Sequence, residues 1–136
     1  MAKACTEHPS ITTDVSRITL LPNEILDWQY MPDSEISLEI AQYESELIGR
    51  FMRDNGATQL RLLIDVRDIG SISRSARRHF ASREVHDTYG ILGLALLIGS
   101  PIGTMVGNLY FSLNRTLHPT RLFTERDAAE AWLRTL

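Results

Sequence analysis

The amino-acid sequence predicts an α/β layered sandwich: a four- to five-stranded, mixed but mostly parallel sheet with four helices, in the order ββαβαβαβα. Three observations predict it. Residues 60–66 and 91–98 are short runs in which apolar residues follow one another directly, the mark of strands buried on both faces. Segments with apolar residues three and four apart alternate with them, as crossover helices do. Near the N-terminus, two further apolar runs flank Pro22-Asn23-Glu24, a turn signal that predicts an antiparallel hairpin.

The elements follow in order. Residues 1–14 are polar and read as a loose lead-in, and 15–136 read as one domain without repeats, low-complexity tracts or a Pro/Gly-rich linker. The hairpin strands are 18–21 and 25–30. Pro32, Asp33 and Ser34 then mark a helix start, and Ile36, Ile40, Tyr43, Leu47 and Phe51 form one face of a long amphipathic helix. Its other side carries Glu35, Glu39, Glu46 and Arg50, and Asn55-Gly56 ends it as a left-handed C-terminal cap. After the strand at 60–66 a second helix is expected over roughly 73–87, and after the strand at 91–98 a third. Ser100 suits the N-cap of that third helix and Pro101 its first position, where a missing N–H costs nothing. Residues 121–123 read as a short strand. Thr124 to Asp127 resemble a capping box opening a last helix, with Ala128, Trp132 and Leu136 inward.

Composition narrows the function classes. The chain has 136 residues, 43% of them hydrophobic and 23% charged, which suits one ordinary domain with a real core. A net charge of −3 gives no basic field to draw it to nucleic acid or acidic lipid. The single cysteine, Cys5, has no partner for an internal disulfide, and the first residues lack an apolar signal-peptide core, so a cytoplasmic setting is expected. Residues 88–114 carry no charge and are long enough to span a bilayer. Gly99, Ser100, Pro101 and Gly103 break that stretch in the middle, so it reads as a buried strand followed by a helix, not as a membrane span.

The segment after the first buried strand runs Leu63-Ile64-Asp65-Val66-Arg67-Asp68-Ile69-Gly70-Ser71-Ile72-Ser73-Arg74-Ser75-Ala76. With the element order, it resembles the STAS family (sulfate-transporter and anti-sigma-factor antagonist domains), in particular its SpoIIAA-like group. That family places Asp-Ser-Ser-Gly between a buried strand and a helix. Aligned without gaps, Ser73-Arg74-Ser75-Ala76 falls on that motif, with Ser73 in place of the acidic residue and Ala76 in place of the glycine. The resemblance implies a non-catalytic regulatory module that contacts a protein partner, with Ser75 at the phospho-acceptor place. The second half, from Gly99-Ser-Pro-Ile-Gly103 through Gly107-Asn108 to Pro119-Thr-Arg-Leu-Phe-Thr124, looks like a bacterial subgroup of stand-alone STAS-like proteins.

Each candidate site has a structural alternative. Ser75, early in a helix and beside Arg74, Arg77 and Arg78, suits a phosphate, but it equally suits an exposed helix position behind capping Ser71 and Ser73. Arg74, Arg77, Arg78 and Arg83 read as a solvated face instead of a nucleic-acid stripe, because Glu84 and Asp87 dilute them. A small-ligand or lipid-binding domain is the second functional reading. Its crevice would lie at the carboxyl edge of the sheet, where Asp65, Ser73, Ser100, Gly103 and Asn108 converge. No cofactor is expected, since the Gly99–Gly103 loop has neither the P-loop lysine nor the dinucleotide spacing.

No metal site is expected either. His79 and His86 stand roughly 10.5 Å apart along a helix, while His8 and His118 lie elsewhere in the chain. No serine occupies a Gly-x-Ser-x-Gly elbow, and Asp65 and Asp68 fit turns and caps, so no catalytic residue is assigned. The third helix is apolar nearly all round, with Ile102, Met105, Val106, Leu109 and Leu113 on one side and Gly103, Gly107, Tyr110 and Phe111 on the other. The second side demands cover, which predicts a homodimer or stable partner interface there. Cover by residues 1–14 is the alternative.

Overall fold

The computed structural model describes residues 8–80, 90–99 and 119–136. Strands β1 (Ser10–Thr12), β2 (Ser16–Leu21) and β3 (Ile25–Tyr30) form an antiparallel meander, with Pro22–Glu24 as a single 3-10 turn between β2 and β3. Asn23 and Glu24 sit at φ 68° and 56°, so the tight turn takes up backbone strain there. Two residues, Glu35–Ile36, make β4, and helix α1 covers Leu38–Asp54. Then come β5 (Leu60–Asp65), β6 (Ser71–Ile72), α2 (Arg74–Phe80), β7 (Ile91–Leu97), β8 (Thr120–Phe123) and α3 (Arg126–Leu133). The main sheet has six strands in the order β1-β2-β3-β5-β7-β8, and β4 and β6 form a separate parallel pair.

The α/β class and the mixed sheet agree with the expectation; the counts differ. The sheet is parallel from β3 onward and antiparallel before it. It is one strand wider than expected because Ser10–Thr12, within the segment read as lead-in, pairs with β2 in register Ile11↔Ile18. Three α-helices are seen among the described residues. The third expected helix and the end of the second, beyond Phe80, lie outside them.

The uninterrupted apolar runs divide between the two faces of the sheet by strand alternation. One face carries Ile18, Leu26, Trp28, Leu62, Ile64, Leu94 and Leu96 against Ala41, Ile48 and Met52 of α1. The other carries Ile25, Leu63, Ala95 and Leu97 against Ala129 and Leu133 of α3. A fully buried Leu or Ile contributes about 1.5–3 kcal/mol, so β5 and β7, inward on both sides, anchor the fold.

Three local expectations are corrected. Helix α1 begins at Leu38 instead of Pro32–Ser34: Asp33 turns at φ 61°, Glu35–Ile36 stays extended to pair with Ser71–Ile72, and Ser37 caps the helix by accepting the Ile40 N–H at 3.2 Å. The inward face of α1 is Ala41, Glu44, Ser45, Ile48 and Met52 together with Phe51, while Tyr43 is 53% exposed. Small residues at 41, 45 and 49 allow α1 to lie close to α2, and the Ser45 hydroxyl bonds His79 Nε2 at 2.9 Å. In α3 the inward residues are Ala129 and Leu133, with Trp132 and Leu136 flanking and Ala128 exposed. No capping box forms there, because the helix starts at Arg126 behind a Glu125 that makes no side-chain cap bond.

Candidate regulatory site

The loop that carries Ser75 is fastened to the loop after β3. The Asp33 N–H donates to the Asp68 carbonyl at 2.9 Å, and the N–H groups of Gly70 and Ser71 donate to the Ser34 carbonyl at 2.9 and 3.0 Å. The Ser73 N–H donates to the Ile36 carbonyl at 2.9 Å. Ser34 is itself buried, its hydroxyl donating to the Met31 carbonyl at 2.6 Å. The two loops come so close at Gly70 that an added Cβ would stand 2.9 Å from the Asp33 carbonyl oxygen.

From this fastened loop, Ser73 opens α2. Its hydroxyl accepts the Ala76 N–H at 3.0 Å and its carbonyl the Arg77 N–H at 3.0 Å, which makes it the N-cap. Ser75 follows in the first turn with its side chain exposed, between exposed Arg74 and Arg78. Arg77 turns back instead, donating from Nη1 to the Ile72 carbonyl at 2.7 Å, and so braces the loop. Of the arginines expected around Ser75, two therefore reach solvent. Arg83 lies outside the described residues.

The expected ligand crevice is only partly on view. Asp65 is held by Arg67 through Nε at 3.0 Å and Nη2 at 2.8 Å, and it also accepts the Arg67 N–H at 3.1 Å. That carboxylate raises the Arg67 pKa further above its ordinary value. Asp65 follows Leu63 on the α3 side of the sheet, whereas Ser73 belongs to the loop that caps α2, so each is engaged in its own local structure. Ser100, Gly103 and Asn108 lie outside the described residues, as do Gly107, Tyr110 and Phe111 of the expected interface.

Two buried carboxylates escaped the sequence reading. Asp27, on β3, bonds Arg126 at the start of α3, and Arg126 also reaches Glu130 at 2.9 Å. Burial pushes the Asp27 carboxyl above its ordinary value, against the pull of Arg126. Its Oδ1 and the Arg126 Nη1 are buried without a partner among the described residues. The signal in the sequence is an acid breaking the apolar alternation of 25–30.

Glu44, on α1, has no exposed surface at all. Tyr30 OH donates to its Oε1 at 2.8 Å and the Ser16 hydroxyl to its Oε2. Ser16 and Tyr30 are cross-strand partners, so one carboxylate ties the helix to both arms of the hairpin. The buried Trp28 indole N–H favours the charged form without reaching hydrogen-bond geometry. Burial nonetheless dominates and raises the pKa. The signal in the sequence is Ile40-Glu44-Ile48, an acid within an apolar column four residues apart.

Among the described residues no group of His, Cys, Asp and Glu could hold a metal ion, and no helix is long and apolar enough to cross a membrane. A six-stranded mixed sheet with α1 on one face and α3 on the other is the SpoIIAA-like fold. Solved structures share it, two of them as follows. One is an uncharacterized protein of the DUF3478 family with a SpoIIAA-like fold from Shewanella loihica PV-4, at 10% identity and TM-score 0.59, covering 93% of this chain and 92% of that one. The other is the anti-sigma factor antagonist SpoIIAA in its unphosphorylated form, at 15% identity and TM-score 0.61, covering 89% and 97%. By sequence, the chain belongs to the family described as Domain of unknown function (DUF7793), matched over residues 19–136. No curated protein matches it.

Proposed function

We propose that this chain is a non-catalytic regulatory module that works in the cytoplasm by contacting a protein partner, with Ser75 as a phosphorylation switch. The observation that carries this reading is the presentation of Ser75. It stands exposed between two exposed arginines, on a helix whose start is fastened by backbone hydrogen bonds to the neighbouring loop. A rigid mount under an exposed hydroxyl lets an added phosphate change the surface without unfolding it. The SpoIIAA-like fold supports the same reading, because one neighbour in that fold is an anti-sigma factor antagonist described in its unphosphorylated form. We further propose that the module is a homodimer through the uncharged segment 101–114, with Gly103, Gly107, Tyr110 and Phe111 at the interface.

The test is affinity capture from the source cells with the wild-type chain, Ser75→Ala and Ser75→Asp. The expected result is a partner retained by the first two and lost with Ser75→Asp. An identical set of captured proteins for all three would overturn the switch. Light scattering at micromolar concentration is expected to give twice the monomer mass, and a monomer mass would overturn the dimer. A small molecule seen by native mass spectrometry would favour the ligand or lipid reading instead.

A further inference from the structure

We propose that Asn55-Gly56, the cap of α1, is a deamidation site that the fold holds shut, and that the modification, once made, weakens the cap. The pair is the one Asn-Gly in the sequence. In such a dipeptide the glycine nitrogen attacks the asparagine side-chain carbonyl carbon, with no Cβ on the attacking residue in the way. The N–Cγ bond forms, the Cγ–Nδ2 bond breaks, and ammonia leaves carrying the proton of the glycine N–H. Water then opens the five-membered imide to an aspartate or its β-linked isomer. The reaction consumes only water, and both residues are exposed.

The structure withholds each requirement of ring closure. The attacking nitrogen is engaged: the Gly56 N–H donates to the Arg53 carbonyl at 3.2 Å, and the Ala57 N–H to the Met52 carbonyl at 2.9 Å, the paired bonds of a Schellman cap. The side-chain amide is turned back onto the helix end, where Asn55 Nδ2 donates to the Phe51 carbonyl at 2.8 Å. That oxygen can only accept, which fixes which way the amide faces. The backbone torsion is also wrong. With ψ at 7°, the Gly56 nitrogen eclipses the backbone nitrogen of Asn55, whereas the ring requires it to eclipse Cβ. Gly56 itself sits at φ 69°, the left-handed conformation that favours glycine. The cap therefore needs the very residue that makes the dipeptide reactive, and restrains it. Deamidation has to pass through a frayed end of α1 in which these bonds are open.

The product cannot rebuild the cap. An ionised aspartate has no N–H to give the Phe51 carbonyl, and it places a negative charge at the carboxyl end of the helix, where the dipole is already negative. The β-linked isomer adds a carbon to the main chain and so breaks the spacing of the Schellman pair. Either change is permanent, so each opening that leads to reaction leaves α1 with a weaker end.

The test is peptide mass spectrometry of the full chain incubated at mildly alkaline pH, folded and in urea, with digestion at low pH. Two bonds, to Arg53 and to Phe51, must break before closure, so conversion of Asn55 is expected to be at least about tenfold slower in the folded chain. Ala57→Pro leaves Asn55-Gly56 intact but removes the N–H to Met52 and disfavours the left-handed conformation at Gly56, so it should bring the folded rate toward the rate in urea. Equal rates in the folded and urea-unfolded wild type, or a folded Ala57→Pro rate equal to wild type, would overturn the gating. Should Ala57→Pro not fold, the wild-type comparison decides alone. Asn55→Asp reproduces the product and is expected to exchange the Gly56 and Ala57 amides faster than wild type. Unchanged exchange there would overturn the weakening of the cap.

Discussion

The two interior acids show how differently one charge type is accommodated. Glu44 meets two hydroxyls, whereas Asp27 meets the guanidinium of Arg126 and is joined through it to Glu130. Removing one member of a buried ion pair leaves the other charged and uncompensated, which costs about 3–5 kcal/mol. The Arg126 side chain retains 27% of its exposure, so Arg126→Ala is expected at the low end of that range, about 3 kcal/mol by urea denaturation at pH 7. The double variant Asp27→Leu with Arg126→Met removes both charges and is expected to recover most of the loss. A single-variant loss under about 1 kcal/mol would equate the pair with a surface ion pair and refute its structural role.

At the scale of elements, the legible parts were those in which burial and local chemistry agree. Leu62-Leu63-Ile64 and the run ending at Leu97 announce strands covered on both sides, and Asn55-Gly56 ends α1 with Gly56 at φ 69°. The start of α1 was hidden because Glu35–Ile36 takes its partner from Ser71–Ile72, a pairing between distant segments that no local pattern encodes. The buried face of α1 was hidden for a related reason. Small and polar residues, Ala41, Glu44 and Ser45, fill it where the hairpin and α2 come close. Around the candidate site, the capping by Ser73 and the exposure of Ser75 were legible from their place at a helix start, while the fastening at Gly70 was not.

That fastening makes a prediction. A methyl at residue 70 has to displace backbone atoms of Asp33 and Ser34, so Gly70→Ala is expected to cost about 1–3 kcal/mol. It should also loosen the loop ahead of Ser75, read as faster amide exchange at Ser71 and Ser73. Ser73→Ala removes only the cap and is expected to cost about 1 kcal/mol. Equal exchange at Ser71 in Gly70→Ala and wild type would show that the contact does not hold the loop.

For the whole molecule, the two faces of the sheet are covered by unequal means. The face toward α1 and α2 carries the larger cluster, with Ile18, Leu26, Trp28, Leu62, Ile64, Leu94 and Leu96 packed together. Among the described residues, the opposite face is covered by α3, eight residues long, through Ala129, Leu133 and the flanking Trp132 and Leu136. Leu136 lies over Gly93, where the strand offers no side chain, and its carbonyl accepts a 2.6 Å bond from Arg61. Opening α3 therefore uncovers the smaller of the two described clusters, and separating α1 from the sheet the larger. Local openings have free energies that follow the apolar surface they expose. Native-state hydrogen exchange is expected to show Leu63, Ile64, Ala95 and Leu96 exchanging only through global unfolding, with α3 amides exchanging at a lower opening free energy. Arg126→Ala should lower the α3 value further and leave the central strands tied to global stability. If α3 and the central strands share one opening free energy in the wild-type protein, the helix is an integral part of the core and this division of the molecule is wrong.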